Sequence, residues 1–387
     1  MFSRLLILAL CGFVTSFGAH IVAVNLPSYA EAQHVGAFMI GLLIGVYDFA
    51  ELFAKPVAGF LADRTGMKRT LIAGLAIFIV GSLIYLVLPP MFLLFVRFVQ
   101  GLGAAALSTV SITLVARYFA DKRGRAFGTY NAIKGAGYVI APTAGGFIVQ
   151  QYGFAMIFVA SALVGMLALL LSFTLPSDRD GSAELMDNEE ELSLKEFLSI
   201  FAEPRLVPAY AVIFVNMFLV GILFGFLPVY LHHIGYTPIQ YGGVVSIATL
   251  SYLLVPPVAG YLADRVDIGI TVIAGLALAA IATAAVVFSS GAILIGIVVL
   301  AGIGIGTVWT NTDALVGKLA KDRELGASMG AAQSFKELGD MVGPVGIGLL
   351  TQLFGIRVGF VTCGALALLL LIPLMISSRF SLRRASP

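Results

Sequence analysis

The chain has 387 residues, 59% of them hydrophobic and only 11% charged, with a net charge of +2. Soluble domains carry about 25% charged residues, so most of this surface cannot face water, and the mean hydropathy of +1.01 indicates a membrane protein. The net charge is itself uninformative, and no basic patch in the sequence suggests nucleic acid.

Length and hydropathy fit about twelve spans of ~20 residues joined by short loops. They fall near 5–29, 37–62, 70–89, 92–118, 128–150 and 154–175, then near 207–231, 240–263, 270–289, 291–317, 328–351 and 355–377. The first run, with Arg4 ahead of an apolar stretch, has the outline of a signal peptide. Its core is longer than the roughly 7–15 residues of one, and no cleavage site precedes Gln33, so it reads as the first span. Of 23 lysines and arginines, four lie within spans (Lys55, Arg97, Lys134, Lys336) and Arg357 falls on one side; the other 18 gather on the opposite side. The positive-inside rule then puts both termini in the cytoplasm. Cys11 and Cys363 both lie in apolar runs and offer neither a disulfide framework nor a CxxC metal site. No nucleophile–histidine–acid set, metal cluster or phosphate loop marks an enzyme.

Ionisable residues inside spans are candidates for function. On span 1, His20 reads as a packed histidine rather than a proton carrier. Span 2 carries Asp48, Glu51 and Lys55 on one face. Glu51 and Lys55 form an i,i+4 pair that can neutralise itself locally, whereas Asp48 has no opposite charge at that spacing. After span 2 comes GFLADRTGMKR at 59–69. Span 4 begins with RFVQGLG at 97–103, which sets Arg97 ~9 Å from the outer end of its helix. An arginine at that depth either snorkels to the interface or is paired or wetted inside the protein. Span 5 holds Lys134 and the small-residue series Gly128, Gly137, Ala141-Pro142, Gly145-Gly146. Such residues let helix backbones approach closely, and the proline kinks the helix.

The segment 176–206 is an acidic linker. Its end, 193–203, has the pattern of a short amphipathic helix lying on the membrane surface. Span 7 bears an aromatic run, Phe214, Phe218, Phe224, Phe226 and Tyr230, which suits an amphiphilic solute or simply packing. Span 10 holds Asp313, again without a partner in its own helix. Span 11 holds Lys336, Glu337 and Asp340, with Lys336–Asp340 a second i,i+4 pair.

The chain repeats itself. PVAGFLADR at 56–64 recurs as PVAGYLADR at 257–265. Gly128, Lys134, Gly137, Pro142, Gln150, Gly153 and Phe158 recur as Gly330, Lys336, Gly339, Pro344, Gln352, Gly355 and Phe360, each 202 residues later. The expected architecture is an all-α membrane protein of twelve transmembrane helices in two pseudo-symmetric six-helix bundles. The bundles are 1–175 and 207–387 (the latter with a short cytoplasmic tail), joined by the linker 176–206. Parallel repeats of this kind place a solute site near the bilayer midplane.

These motifs resemble those of the major facilitator superfamily, and the resemblance covers the whole chain. Gly59, Asp63, Arg64, Gly66, Lys68 and Arg69 match the motif after the second helix. The resemblance implies that they form a cytoplasmic latch; the alternative is that the basic residues only anchor orientation. The second copy keeps Asp264 and Arg265 but has Asp267 where Gly66 stands, which puts its latch role in doubt. Arg97 matches the motif whose arginine takes part in proton coupling. Gly128, Gly137, Pro142, Gly145 and Gly146 match the fifth-helix pattern associated with antiporters, with Ala141 a departure. Gly339, Gly343 and Pro344 repeat it in span 11, beside ordinary small-residue packing as the alternative. In the family fold, spans 2 and 11 face each other, which would allow crossed pairs of Glu51 with Lys336 and of Lys55 with Glu337 or Asp340 at an inner gate.

Similarity to the twelve-span drug:proton antiporters leads to the expected function: proton-coupled export of small amphiphilic or anionic organic compounds by alternating access. The alternative is a proton symporter importing an organic anion, with Arg97 and Lys134 as its ligands. Asp48, Glu51, Arg97 and Asp313 are the candidate proton-coupling residues; Lys134, Lys55, Lys336, Glu337 and Asp340 form the candidate substrate or charge network. No cofactor or metal is expected, the proton gradient being the energy source. The expected setting is a bacterial inner membrane, and the expected working unit a monomer.

Overall fold

In the computed structural model, residues 2–119, 123–176, 199–263, 265–321 and 324–372 are described. Thirteen α-helices run through them: α1 (Phe2–Ala32), α2 (Ala37–Thr65), α3 (Met67–Ile84), α4 (Leu93–Tyr118), α5 (Arg123–Tyr152) and α6 (Ala155–Ser172), then α7 (Val207–His233), α8 (Pro238–Leu254), α9 (Pro256–Ala263), α10 (Ile268–Ala285), α11 (Gly291–Leu319), α12 (Leu325–Phe354) and α13 (Ile356–Leu369). Short 3₁₀ turns at Pro90–Phe92 and Val286–Phe288 flank α4 and α10. A bilayer offers the backbone no hydrogen-bonding partner, so a spanning segment must satisfy its own amides, and the helix does so. Ten helical segments are long and apolar enough to cross a bilayer; Ile356–Leu369 is a shorter apolar helix. The remaining one, α12, is 30 residues long and carries Lys336, Glu337 and Asp340 within it. Large apolar side chains such as Phe53, Phe60, Leu163 and Leu254, each more than half exposed, suit a lipid environment. Cys11 and Cys363 are free thiols buried in the helix packing.

The expected eighth span is two helices, because the chain breaks at Val255. Two consecutive prolines follow, each lacking an amide donor, and the residue before a proline is driven out of the helical region. The repeat explains why α2 does not break: Lys55 stands where the second half has Pro256, and the single Pro56 is carried inside a continuous helix. Residues 177–198 of the linker expected at 176–206, and with them most of the expected surface helix 193–203, lie outside the described residues, as do Asp264 and the C-terminal tail.

The chain divides into two compact units. One comprises Met1–Gly36, Leu42–Glu189 and Leu231–Ser246; the other comprises Ala37–Gly41, Glu190–Tyr230 and Ile247–Pro387. In the first, α1 packs on α5 and α6, and α3 on α4 and α6. In the second, α10 packs on α11 and α13, and α12 on α13. The repeat is visible in detail. In the first unit Gly242 of α8 lies against the Pro142 carbonyl of α5, and Gln150 accepts the Ile239 amide at 3.4 Å. In the second, Gly41 of α2 lies against the Pro344 carbonyl of α12, and Gln352 accepts the Phe38 amide at 3.1 Å.

Gly66 joins α2 to α3 with φ 99° and ψ 141°, a conformation open almost only to glycine. Its counterpart Asp267 has φ −56° and instead caps α10, accepting from the amides of Gly269 at 2.8 Å and Ile270 at 3.3 Å. The two copies of the motif thus turn by different devices. Gly66→Ala should cost about 1–3 kcal/mol of stability. Gly128→Ala, in a helix with nothing near the added methyl, should gain about 0.5–1 kcal/mol. Thermal unfolding in detergent compares the two.

Candidate functional site

Arg97 of α4 is 2% exposed and does not snorkel. Its guanidinium lies over the Tyr47 ring of α2 at 4.3 Å and donates from one terminal nitrogen to Gln100 Oε1 at 2.8 Å. Gln100 donates in turn to Ser82 Oγ at 3.0 Å, and Ser82 meets Ser161 at 3.2 Å. The Nε of Arg97 is buried without a hydrogen-bond partner among the described residues. A cation, an aromatic face and a chain of neutral polar groups thus occupy the interior of the first unit.

Glu51 and Lys55 on α2 pair at 2.5 Å, as their i,i+4 spacing predicts. Asp48 and Glu51 lie within electrostatic reach of Tyr47, so the carboxylates and the Arg97 network share one region. His20 of α1 is held by the Ser16 carbonyl at 3.0 Å and meets Tyr138 edge-on at 4.5 Å, as a packed histidine would. Lys134 of α5 is partly buried within electrostatic reach of His20, and no ion pair to it forms among the described residues.

In the second unit, Lys336 of α12 pairs with Asp313 of α11 at 2.7 Å. Lys336 therefore makes a bond between helices, which the i,i+4 spacing of Lys336 and Asp340 did not register. Sequence spacing registers neighbours on one helix and is blind to a carboxylate that packing brings from another. The Lys336 ammonium also lies 5.1 Å from the centre of the Trp309 ring. Glu337 accepts from Gln333 at 2.7 Å. Asp340 lies one turn beyond Lys336, and its backbone carbonyl faces Gly221 of α7.

The loop motif behaves locally as follows. Asp63 meets Arg117 of α4 at 3.6 Å, an exposed pair that contributes little. Arg64 lies over Phe60 at 4.2 Å, and its repeat Arg265 over Tyr261 at 4.4 Å. Lys68 donates to the carbonyl of Phe173 at 2.7 Å and to that of Leu175, just past the end of α6, where a cation is favoured by the helix dipole. Arg69 is exposed. At Gly59 an added methyl would find only Thr109, at 4.0 Å, among the described residues.

Most of the expected packing glycines do pack. Gly137 faces the backbone of Phe13 and Phe17 on α1, Gly145 faces Ile21 and Asn25, and Gly146 faces Pro238. Gly339 and Gly343 face α7 at Phe214 and Phe218, and Pro344 faces Gly41 and Gly221. Gly128 is the exception: it lies in the exposed second turn of α5 with no atom of the described residues within 4 Å of an added methyl. Of the aromatic run on α7, Phe226 and Tyr230 are buried as packing, and Phe214, Phe218 and Phe224 remain partly exposed. Tyr47, Gln100, Ser82 and Trp309 are the participants that sequence reasoning missed. The i,i+3 spacing of Arg97 and Gln100, and the uniqueness of Trp309 in the chain, were the available signals.

Membrane-spanning helices in two repeated units, with charged residues placed inside the spans, define a membrane carrier. The chain belongs to the Major Facilitator Superfamily, whose sequence profile matches residues 8–243 and 209–386. It is 25% identical over 286 residues to Multidrug resistance protein 2 of Bacillus subtilis, covering 70% of each chain. It is 25% identical over 365 residues to the multi-drug resistance efflux pump PmrA of Streptococcus pneumoniae, covering 90% of this chain and 89% of the other. A bacterial homologue of the human lysosomal transporter Spinster superposes with a TM-score of 0.82 at 16% identity, over 99% of this chain and 98% of that one, which shows the shared fold.

Proposed function

We propose that this chain is a proton-coupled antiporter that exports small amphiphilic or anionic organic compounds by alternating access. The observation that carries the reading is the pairing of intramembrane carboxylates with cations, Glu51 with Lys55 and Asp313 with Lys336. A carboxylate in such a setting can trade its cation for a proton, and the freed cation or the neutral acid changes what the site binds. Asp48, Glu51 and Asp313 are the proposed proton carriers, and Arg97 sets the field around the first two. The efflux names of the two relatives support export. The distribution of lysine and arginine supports cytoplasmic termini, a plasma-membrane setting and a cytoplasmic latch at Asp63–Arg69. The carrier would work as a monomer driven by the proton gradient alone.

A second reading, proton-coupled import of an organic anion, is favoured by one observation: Lys134 lies inside a span with no ion pair among the described residues. Inside-out membrane vesicles with an acidified lumen separate the two. Export by antiport predicts accumulation of substrate in the lumen that collapses when the gradient is dissipated. Import by symport predicts that the same gradient drives substrate out. In either case Lys134→Ala should raise KM about tenfold or shift the pH profile, at unchanged yield of folded protein. Unaltered kinetics per folded molecule would make Lys134 a packing residue.

A further inference from the structure

Trp309 is the only tryptophan of the chain and it stands in a cluster that the charge network alone does not explain. Its ring stacks on Tyr252 of α8, with centroids 5.6 Å apart and planes 15° from parallel. Phe224 of α7 meets Tyr252 edge-on at 6.3 Å. Trp309 and Asp313 are four residues apart and share one face of α11, and the Lys336 ammonium bridges them, 5.1 Å from the indole centre and 2.7 Å from the carboxylate. Tyr252 is buried at 7% exposure, whereas Trp309 and Phe224 are only partly buried. Within the second unit, Phe224 of α7, Tyr252 of α8, Trp309 and Asp313 of α11 and Lys336 of α12 therefore converge on an aromatic wall with an ion pair at its edge.

We infer that this wall is a binding subsite for a planar aromatic carboxylate, whose ring lies on Trp309 and whose anionic group takes the Lys336 ammonium. The aromatic side chains supply ring stacking. The charge of the ligand follows from the pair. A cationic ligand would meet the Lys336 ammonium already seated at the indole, and drawing Asp313 away would leave that ammonium buried and alone. An anion replaces Asp313 as the partner of Lys336, and Asp313 is the member released at the lower cost, being 31% exposed against 10% for Lys336. The inference rests on the transport reading for its substrate class, but it is tested by equilibrium binding and needs no flux.

Because Trp309 is unique, the fluorescence of the purified protein in detergent reports on this wall. The probe is 4-bromobenzoate, whose bromine quenches an indole it touches; benzyltrimethylammonium and cyclohexanecarboxylate are the controls for charge and ring. The expected result is saturable quenching by 4-bromobenzoate. Benzyltrimethylammonium should neither quench nor displace it, and cyclohexanecarboxylate should displace it only about tenfold more weakly. Lys336→Gln should weaken binding about tenfold or more, Tyr252→Leu about fivefold, and Lys336→Arg should retain it. If Lys336→Gln does not fold, the Tyr252→Leu and Lys336→Arg comparison carries the test. Absence of saturable quenching, equal competition by the organic cation, or indifference to Tyr252→Leu would overturn the inference. The transport reading would stand if vesicle flux of other compounds persisted.

Discussion

Asp313→Asn will lower the stability of the protein by about 2–3 kcal/mol and abolish coupled transport. The partner side chain of Lys336 is 10% exposed, and its ammonium also lies 5.1 Å from the centre of the Trp309 ring. Breaking a buried ion pair by removing one member costs about 3–5 kcal/mol, because the survivor stays charged in a poor solvent. Asp313 is 31% exposed, so water relieves part of that loss and the lower figure applies. The double variant Asp313→Asn/Lys336→Gln removes both charges and should recover to within about 1 kcal/mol of the parent, since a neutral amide pair costs far less to desolvate than an unpaired ion. Transport should stay lost in both. Thermal unfolding in detergent gives the stabilities. Additive losses in the double variant would mean that the two side chains do not act as a pair.

Arg97→Met should have the opposite signature, a loss of coupled transport of about 100-fold or more with stability unchanged or raised. An arginine buried to 2% exposure costs several kcal/mol unless it is paired. Arg97 donates to Gln100 and lies over the Tyr47 ring, and its Nε has no hydrogen-bond partner among the described residues. No carboxylate pairs with it there, so packing alone does not account for its presence. A residue that strains the fold where function needs it is the usual trade of stability for activity. Methionine fills the same volume without the charge. Arg97→Lys should not rescue transport, because an ammonium cannot lie flat on Tyr47 while donating from a fork to Gln100. A destabilised Arg97→Met protein would show instead that the arginine is a structural member of the Gln100–Ser82–Ser161 chain.

The elements that sequence reasoning located are those governed by local or repeated signals. The spans follow from hydropathy, and Glu51–Lys55 from helical spacing. The packing faces of α5 and α12 follow from Gly137, Gly145, Gly339 and Gly343, where only small residues permit the approach. What escaped it was set by neighbours distant in sequence. Lys336 has carboxylates on its own helix, yet it bonds to Asp313 of α11. Arg97 lay at a depth compatible with snorkelling, and only its burial against Tyr47 decided otherwise. The break at Val255 was written in Pro256-Pro257, but apolar residues on both sides kept the hydropathy continuous. Gly128 matched its motif by position, yet an added methyl there meets no atom within 4 Å among the described residues, because a motif records spacing and not contact.

Proton movement measured beside substrate movement tests the central claim most directly. Purified protein in liposomes holding a pH dye and a loaded organic substrate is diluted into substrate-free buffer at the same pH. Protein-free liposomes supply the baseline for passive leakage. Antiport predicts that substrate leaving drives protons inward, so the lumen acidifies beyond that baseline, and that Asp48→Asn, Glu51→Gln or Asp313→Asn removes the signal in at least one case. Alkalinisation of the lumen in step with substrate efflux, or substrate efflux with no proton movement at all, would contradict it.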